Sequence, residues 1–331
     1  MMSRSITRRA ALSLAGGAVV APLVSRGSFG QAYPTKPATV IIPFGAGGTT
    51  DLVGRIICEK LTQRLGKAFV IENRAGAGGN TGVAALSHAT PDGYTIGMTT
   101  PSTHGINPNL YKEKLPFKPF EDFEFLSLAS SQPNFLCIHP SIPAQNVAEL
   151  IAYLKANPGR ENFGSSGIGT SIHLSGELFM QLAGVTMQHV TYRSSGALVQ
   201  DLISGNVKIS FDNFTSPYPH YKAGTLRGLA VTTLERAKIA PEVPTLAETL
   251  PGFDISSWNG FLAPKGTPKE ICDRLTGEMQ AVLKDPAVVS RFEELGAAAT
   301  PSSGAEARKK AETEIAKFKG IIDKAGITIQ N

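Results

Sequence analysis

Two glycine-rich turns are the segments of this chain most able to do chemistry, and each is followed by a helix-like run. The first is Pro43-Phe44-Gly45-Ala46-Gly47-Gly48-Thr49-Thr50-Asp51. The second is Gly164-Ser165-Ser166-Gly167-Ile168-Gly169-Thr170-Ser171. Glycines permit tight bends and close approach of a ligand to the backbone. The first amides of a helix lack partners and carry a partial positive charge. An anion is therefore held at such a turn without any Lys or Arg. The second turn adds hydroxyl donors. Asp51 falls in the first helical turn, where an acid is favoured and can cap free amides, so it reads as shaping the loop. Arg193 follows a strand and reads either as a bidentate partner for a carboxylate or as an exposed surface arginine.

Signatures of other chemistries are missing. There is no phosphate-binding G-x-x-x-x-G-K-[ST], no H-E-x-x-H and no G-x-S-x-G. His88, His104, His139, His173, His189 and His220 are scattered without metal-ligand spacing. His173, one turn into its helix, reads as a structural hydrogen-bonding residue. Ser165 or Ser166 acting as a nucleophile would need a base within reach and a third group to orient it. No metal and no cofactor is expected.

The elements that must position these turns alternate strand and helix. Thr39 to Phe44 reads as a buried strand, followed by Leu52, Val53, Ile56, Ile57, Leu61 and Leu65 at helical spacing. Phe69 to Glu72 is a second strand, Thr81 to Ser87 a helix and Tyr94 to Met98 a third strand. Three such units in series predict a mostly parallel sheet. Phe125–Ala129 and Asn134–Ile138 read as two strands around a hinge. A second α/β series then runs through helices 147–156, 173–183 and 197–204, strands 188–192, 207–212 and 226–232, and a turn at Tyr221 to Gly224. Ile255 to Leu262 reads as a second crossover, and amphipathic helices follow over 269–283 and 305–325. The pattern predicts two α/β lobes joined by two strands, with a ligand cleft between them. The expected boundaries are 33–133 plus 257–331 for lobe 1 and 134–256 for lobe 2.

Composition fits that class. The chain has 331 residues, 42% of them apolar, with 34 Gly and 22 Pro. That length allows about two domains of ordinary size. The formal net charge is +5, but residues 1–32 contribute Arg4, Arg8, Arg9 and Arg26 with no acid, so the remainder is +1. No basic run with interleaved aromatics supports a nucleic-acid partner. Residues 1–32 read as an export signal, cleaved near Ala32 after the apolar stretch Ala10 to Val24. Thr7-Arg8-Arg9-Ala10-Ala11-Leu12 resembles a twin-arginine signal, with an ordinary secretory signal as the alternative. Either route places the mature chain outside the cytoplasm, with an uncleaved N-terminal anchor as a further alternative. Cys58, Cys137 and Cys272 read as buried small apolar residues, with a Cys58–Cys272 bridge open.

Several motifs in order give a specific resemblance. They are Pro43-Phe44…Gly47-Gly48…Asp51, Glu72-Asn73-Arg74-Ala75-Gly76-Ala77-Gly78-Gly79-Asn80 and Pro91-Asp92-Gly93-Tyr94. Gly164-Ser165…Gly167…Gly169-Thr170…His173 and Val190-Thr191-Tyr192-Arg193 follow. Asp201-Leu202-Ile203-Ser204-Gly205 and Lys222-Ala223-Gly224…Leu226-Arg227…Leu229-Ala230-Val231-Thr232 complete the set. From about Tyr33 onward the chain resembles the Bug-type receptors of tripartite tricarboxylate transporters. The resemblance implies a two-lobed periplasmic binding protein of type II, a Venus flytrap closing on a small organic acid, mono- or dicarboxylate, and handing it to membrane permease subunits. It implies ligand contacts from Phe44, Gly45, Ala46, Gly47, Gly48, Ser165, Ser166, Gly169 and Thr170, partly through bridging waters. Asn80, Thr100 and Ser102 would line the first lobe's side, and Arg193, Asp212 and Asn213 the second's. A monomer is the default. Competing readings are an exported hydrolase using a Ser nucleophile and a receptor for an inorganic oxyanion.

Overall fold

A computed structural model describes residues 33–328. The expected export signal, with its cleavage point near Ala32, lies outside the described residues, as do residues 329–331. The first half builds β1 (Ala38–Ile42), α1 (Thr49–Leu65), β2 (Phe69–Asn73), α2 (Asn80–Ser87) and β3 (Thr95–Thr99). A wide π-helical turn, Ser102–Ile106, runs into α3 (Asn107–Tyr111). β1 lies between β2 and β3 and is parallel to both, with Val40 opposite Ile71 and Ile96. Alternating β1 residues Ala38, Val40 and Ile42 are buried in one cluster with Val53, Ile57 and Leu61 of α1. That burial accounts for the helical spacing of the α1 apolar residues.

β4 (Phe123–Ile138) then leads to α4 (Val147–Ala156), β5 (Asn162–Ser165), α5 (Ser171–Ala183), β6 (Gln188–Thr191) and α6 (Ser195–Ser204). β7 (Ile209–Asn213), α7 (Tyr218–Lys222) and β8 (Arg227–Val231) follow. β9 (Ser256–Pro264), α8 (Lys269–Leu283), α9 (Pro286–Glu294), β10 (Ala298–Ala299) and α10 (Gly304–Ala325) finish the chain. Among the described residues the strands make one continuous sheet of two halves, in the order β2-β1-β3-β9-β4-β7-β5-β6.

β4 joins the halves. Its first part pairs antiparallel with β9, from Phe123 opposite Pro264 to Pro133 opposite Ser256. From Asn134 onward it pairs with β7, and from Phe135 with β8. The two strands expected around a hinge are therefore one strand of 16 residues. Ser130 to Asn134 read as a break because they are mostly polar, yet Ser130, Gln132 and Asn134 are buried. They stay in the sheet because they are hydrogen-bonded there, Asn259 Nδ2 donating to Ser130 Oγ at 2.9 Å and Asn134 Nδ2 to Ser175 Oγ at 3.0 Å. The turn expected at Tyr221 to Gly224 starts inside α7, whereas α3, α9 and β10 had no clear sequence signal.

α10 begins with a capping box, Ser303 and Glu306 bonding each other's backbone amides. It runs along β4, α3 and α5. Phe318 and Ile322 share one apolar cluster with Phe179 of α5 and Phe211 of β7, so this helix is a strap across both halves. Cys58, Cys137 and Cys272 are all free, the first two buried. Among the described residues no helix is long and apolar enough to cross a membrane.

Candidate functional site

Three helix starts, rather than two, converge between the lobes. α1 is entered through Gly48 in extended backbone with no side-chain cap, which leaves its first amides open. α5 is capped by Thr170, whose hydroxyl accepts from the His173 amide, so the amides of Ser171 and Ile172 remain without helical partners. α6 is capped by Ser194, which accepts from the Ala197 amide, leaving those of Ser195 and Gly196. Gly48, Thr49 and Thr50 of the first start, Thr170, Ser171 and Ile172 of the second, and Ser195 of the third all line one cavity. Phe44, Thr100, Ser102, Ser166, Asn213 and Ser257 complete its wall. Nine of these thirteen residues carry hydroxyls and none is charged. The cavity is narrow, about 20 Å³.

Backbone meets backbone where the lobes touch beside this cavity. The Gly45 amide donates to the Arg193 carbonyl at 3.3 Å. Thr49 Oγ1 and Ser216 Oγ are 3.4 Å apart. A Cβ on Gly45 would lie 3.0 Å from Ser194 Cβ, and one on Gly78 only 2.3 Å from the Ile168 carbonyl oxygen. The described arrangement is thus a shut one, and its seam runs through the glycine-rich turns.

Supporting residues fix the turns. Asp51 Oδ2 accepts from the Gly47 amide at 3.0 Å and from Arg55 Nε at 2.9 Å. Its Oδ1 accepts from Asn73 Nδ2, which also donates to the Phe44 carbonyl. Burial opposes ionisation of Asp51, but these bonds outweigh it and hold the carboxyl below its ordinary range. On the other lobe the Gly169 amide donates to His173 Nδ1 at 3.4 Å. Thr99 Oγ1 and His104 Nδ1 are 2.7 Å apart, and burial pushes His104 down to about 3. His104 is thus a neutral strut for the π-helical turn that presents Thr100 and Ser102.

The expected contact residues divide into three groups. Phe44, Gly48, Thr100, Ser102, Ser166, Thr170 and Asn213 face the cavity. Gly45, Ala46, Gly47 and Gly169 lie along the seam, Ala46 with its carbonyl 3.2 Å from where a Gly196 Cβ would be. Asn80, Ser165, Arg193 and Asp212 are not among the lining residues. Asn80 is buried and accepts from Asn107 Nδ2 at 2.7 Å. The Arg193 residue is exposed and meets the seam only through its carbonyl. Asp212 is fully buried behind Ser195, whose hydroxyl donates to Oδ1 at 2.6 Å.

Sequence reasoning missed the α6 start and Ser257. The signal for the former was present in Ser194-Ser195 before Leu198, Val199 and Leu202, an N-cap ahead of an apolar periodic run. Ser257 is one β9 residue among many and carries no sequence signal. Ser165 does have a histidine, His189 Nε2 at 2.6 Å. The same hydroxyl also bonds the carbonyl and amide of Gly167 at 3.1 Å each, which is how it holds the turn. Burial pushes His189 down to about 3, and its ring stacks on His173 with centroids 4.2 Å apart. Chemically, the cavity offers amides, hydroxyls, three helix dipoles and one aromatic face, a set suited to gripping a small anion with a carbon chain.

The family model described as tripartite tricarboxylate transporter family receptor matches residues 53–327, and the chain belongs to that family. It is similar to the R. palustris protein Rpa4515 solved with adipate, at 35% identity and a TM-score of 0.87, covering 89% of this chain and 99% of that one. It is similar to the periplasmic binding protein BugD, at 32% identity and a TM-score of 0.86, covering 90% and 100%. A third neighbour is MatC from Rhodopseudomonas palustris with bound malate, at 29% identity and a TM-score of 0.83, covering 88% and 100%. The fold is the two-lobed one of these periplasmic binding proteins.

Proposed function

We propose that this member of the tripartite tricarboxylate transporter receptor family is an exported, periplasmic solute receptor for a small organic carboxylate, which it delivers to the membrane permease subunits of such a transporter. One observation carries the reading: three helix starts meet at an uncharged, hydroxyl-lined cavity between two lobes. A carboxylate placed there is stabilised by amides and dipoles, and the Phe44 ring covers its carbon skeleton. The neighbours solved with adipate and with malate are consistent with that ligand class. Of the expected contacts, Phe44, Gly48, Thr100, Ser102, Ser166, Thr170 and Asn213 would touch the ligand, and Gly45, Gly47 and Gly169 would set the closed seam. Binding would draw the open–closed equilibrium toward the closed form by the ligand's preference for it. The lobes are taken as 33–133 plus 257–331 and 134–256, the chain acting as a monomer.

The Ser165–His189 pair gives the hydrolase alternative its single supporting contact. It weighs little, because Ser165 is fully buried, outside the cavity wall, and committed to Gly167. A thermal-shift and calorimetric screen of aliphatic, hydroxylated and aromatic mono- and dicarboxylates tests the reading. Stabilisation by an organic acid that is recovered unchanged is expected. Stabilisation only by sulfate or phosphate, or consumption of the acid, overturns it.

A further inference from the structure

We propose that binding of the anionic ligand is coupled to uptake of one proton by Asp212, so that this residue makes the receptor's affinity depend on pH. This deepens the carboxylate reading above and rests on it. The balance is simple: free receptor with ionised Asp212, ligand anion and one proton from solvent give a complex in which Asp212 is a neutral carboxylic acid.

The geometry supplies the coupling. Asp212 ends β7 directly behind the cavity wall and is fully buried. Its Oδ1 accepts from Ser195 Oγ at 2.6 Å and from the Asn213 amide at 2.7 Å. Ser195 and Asn213 both line the cavity, so a ligand carboxylate would sit one residue away from this carboxyl. Oδ2 is buried with no hydrogen-bond partner among the described residues, which leaves it the place for the proton. A buried carboxylate without a cation is costly, and a second negative charge beside it costs more. Neutralisation of Asp212 removes both penalties. Burial already pushes its pKa up to about 7, against the lowering effect of the Ser195 and Asn213 bonds, and no charged group acts on it.

The titratable neighbours on the surrounding elements are engaged elsewhere. On β4 the Cys137 thiol faces Asp212 electrostatically and is itself held well above its ordinary range by burial. On α5, His173 Nε2 lies 3.4 Å from Glu177. On β6, His189 bonds Ser165. On α6, Asp201 accepts from Tyr192 and Asn206. Across the seam Asp51 pairs with Arg55. None of these supplies Asp212 with a positive charge.

The test is titration calorimetry with adipate and malate from about pH 6.5 to about pH 8.5, where such acids are fully ionised. Repeating each titration in buffers of different ionisation enthalpy counts the protons taken up. The expected result is uptake approaching one proton at the alkaline end, with Kd rising up to about tenfold per pH unit above 7. Asp212→Asn is expected to abolish uptake and flatten the profile. Ser195→Ala, which removes a bond favouring the charged form, is expected to move the midpoint of the profile upward, a shift that titration of a histidine would not give. Binding without proton uptake, a D212N profile as steep as the wild type, or an unmoved S195A midpoint each overturns the proposal while leaving the carboxylate reading intact. Failure of every organic acid to bind at any pH overturns the carboxylate reading and, with it, this one.

Discussion

Replacing Gly78 with Ala tests whether the shut seam governs affinity. Gly78 has φ +63°, and a Cβ there would lie 2.3 Å from the Ile168 carbonyl oxygen of the opposite lobe. Real Cβ atoms keep at least 3.0 Å from such neighbours, so the lobes must part by no less than 0.7 Å. The Gly45 amide is already 3.3 Å from the Arg193 carbonyl, and that parting takes it out of hydrogen-bond range. One interlobe bond is worth about 1 kcal/mol. Loss of ligand bonds from one lobe adds a comparable amount, so Kd is expected to rise about 10- to 100-fold. Ala in a left-handed conformation also strains the backbone by roughly 1 kcal/mol, which affects stability whatever happens at the seam. Gly66→Ala is the control, because Gly66 has φ +67° with nothing within 4 Å of its absent Cβ. G66A should cost a similar amount of stability, about 2–4 °C in Tm, and bind normally. Titration calorimetry gives Kd. The lone tryptophan, Trp258, buried in the crossover strand β9, gives a fluorescence signal for closure, and small-angle scattering should show G78A more extended with ligand. Wild-type affinity in G78A, or equal losses in the two variants, refutes the reasoning.

Further outcomes can be checked independently. Asp51→Ala should loosen the first turn, lowering affinity several-fold. Because the folded carboxyl is held below its ordinary value, its stabilising contribution is present above about pH 4 and is lost as pH falls through the folded value, so acid melts of D51A and wild type should converge. Asp212 has the opposite sign: its folded pKa of about 7 against 3.8 unfolded means stability lost as pH rises between those values, by up to roughly 4 kcal/mol. D212N should therefore melt above wild type near pH 8, and a lower melting point there would count against the burial argument. Thiol titration of the protein in denaturant should find three free thiols. Before unfolding, Cys58 and Cys137 should be unreactive because burial raises both thiols and hides them.

Much of the architecture was legible because it depends on local patterning. Apolar spacing located β1, α1, α5 and α8, and the two glycine turns announced themselves by composition. The single β4 strand was not legible, since Ser130 to Asn134 read as a break until Asn259, Ser175 and Thr232 supply their hydrogen bonds from remote segments. Arg193 could be read as a carboxylate partner or as a surface arginine, and the structure decides for the second: its residue is exposed and its carbonyl meets the seam. Ser195 drew no attention in the sequence, yet it connects the cavity to a buried acid.

By itself the sequence determined the alternation of strands and helices and the two glycine-rich helix entries, because periodicity and conformational freedom are properties of neighbouring residues. It also shows no cation-rich run and no metal-ligand spacing of histidines. Only the tertiary structure decided that a third helix start joins the other two, that the seam is backbone against backbone, and that Asp212 lies fully buried with no counter-ion among the described residues. Burial and opposition across a cleft arise from residues distant in the chain, and the energies of charges and amides depend on those surroundings rather than on residue type.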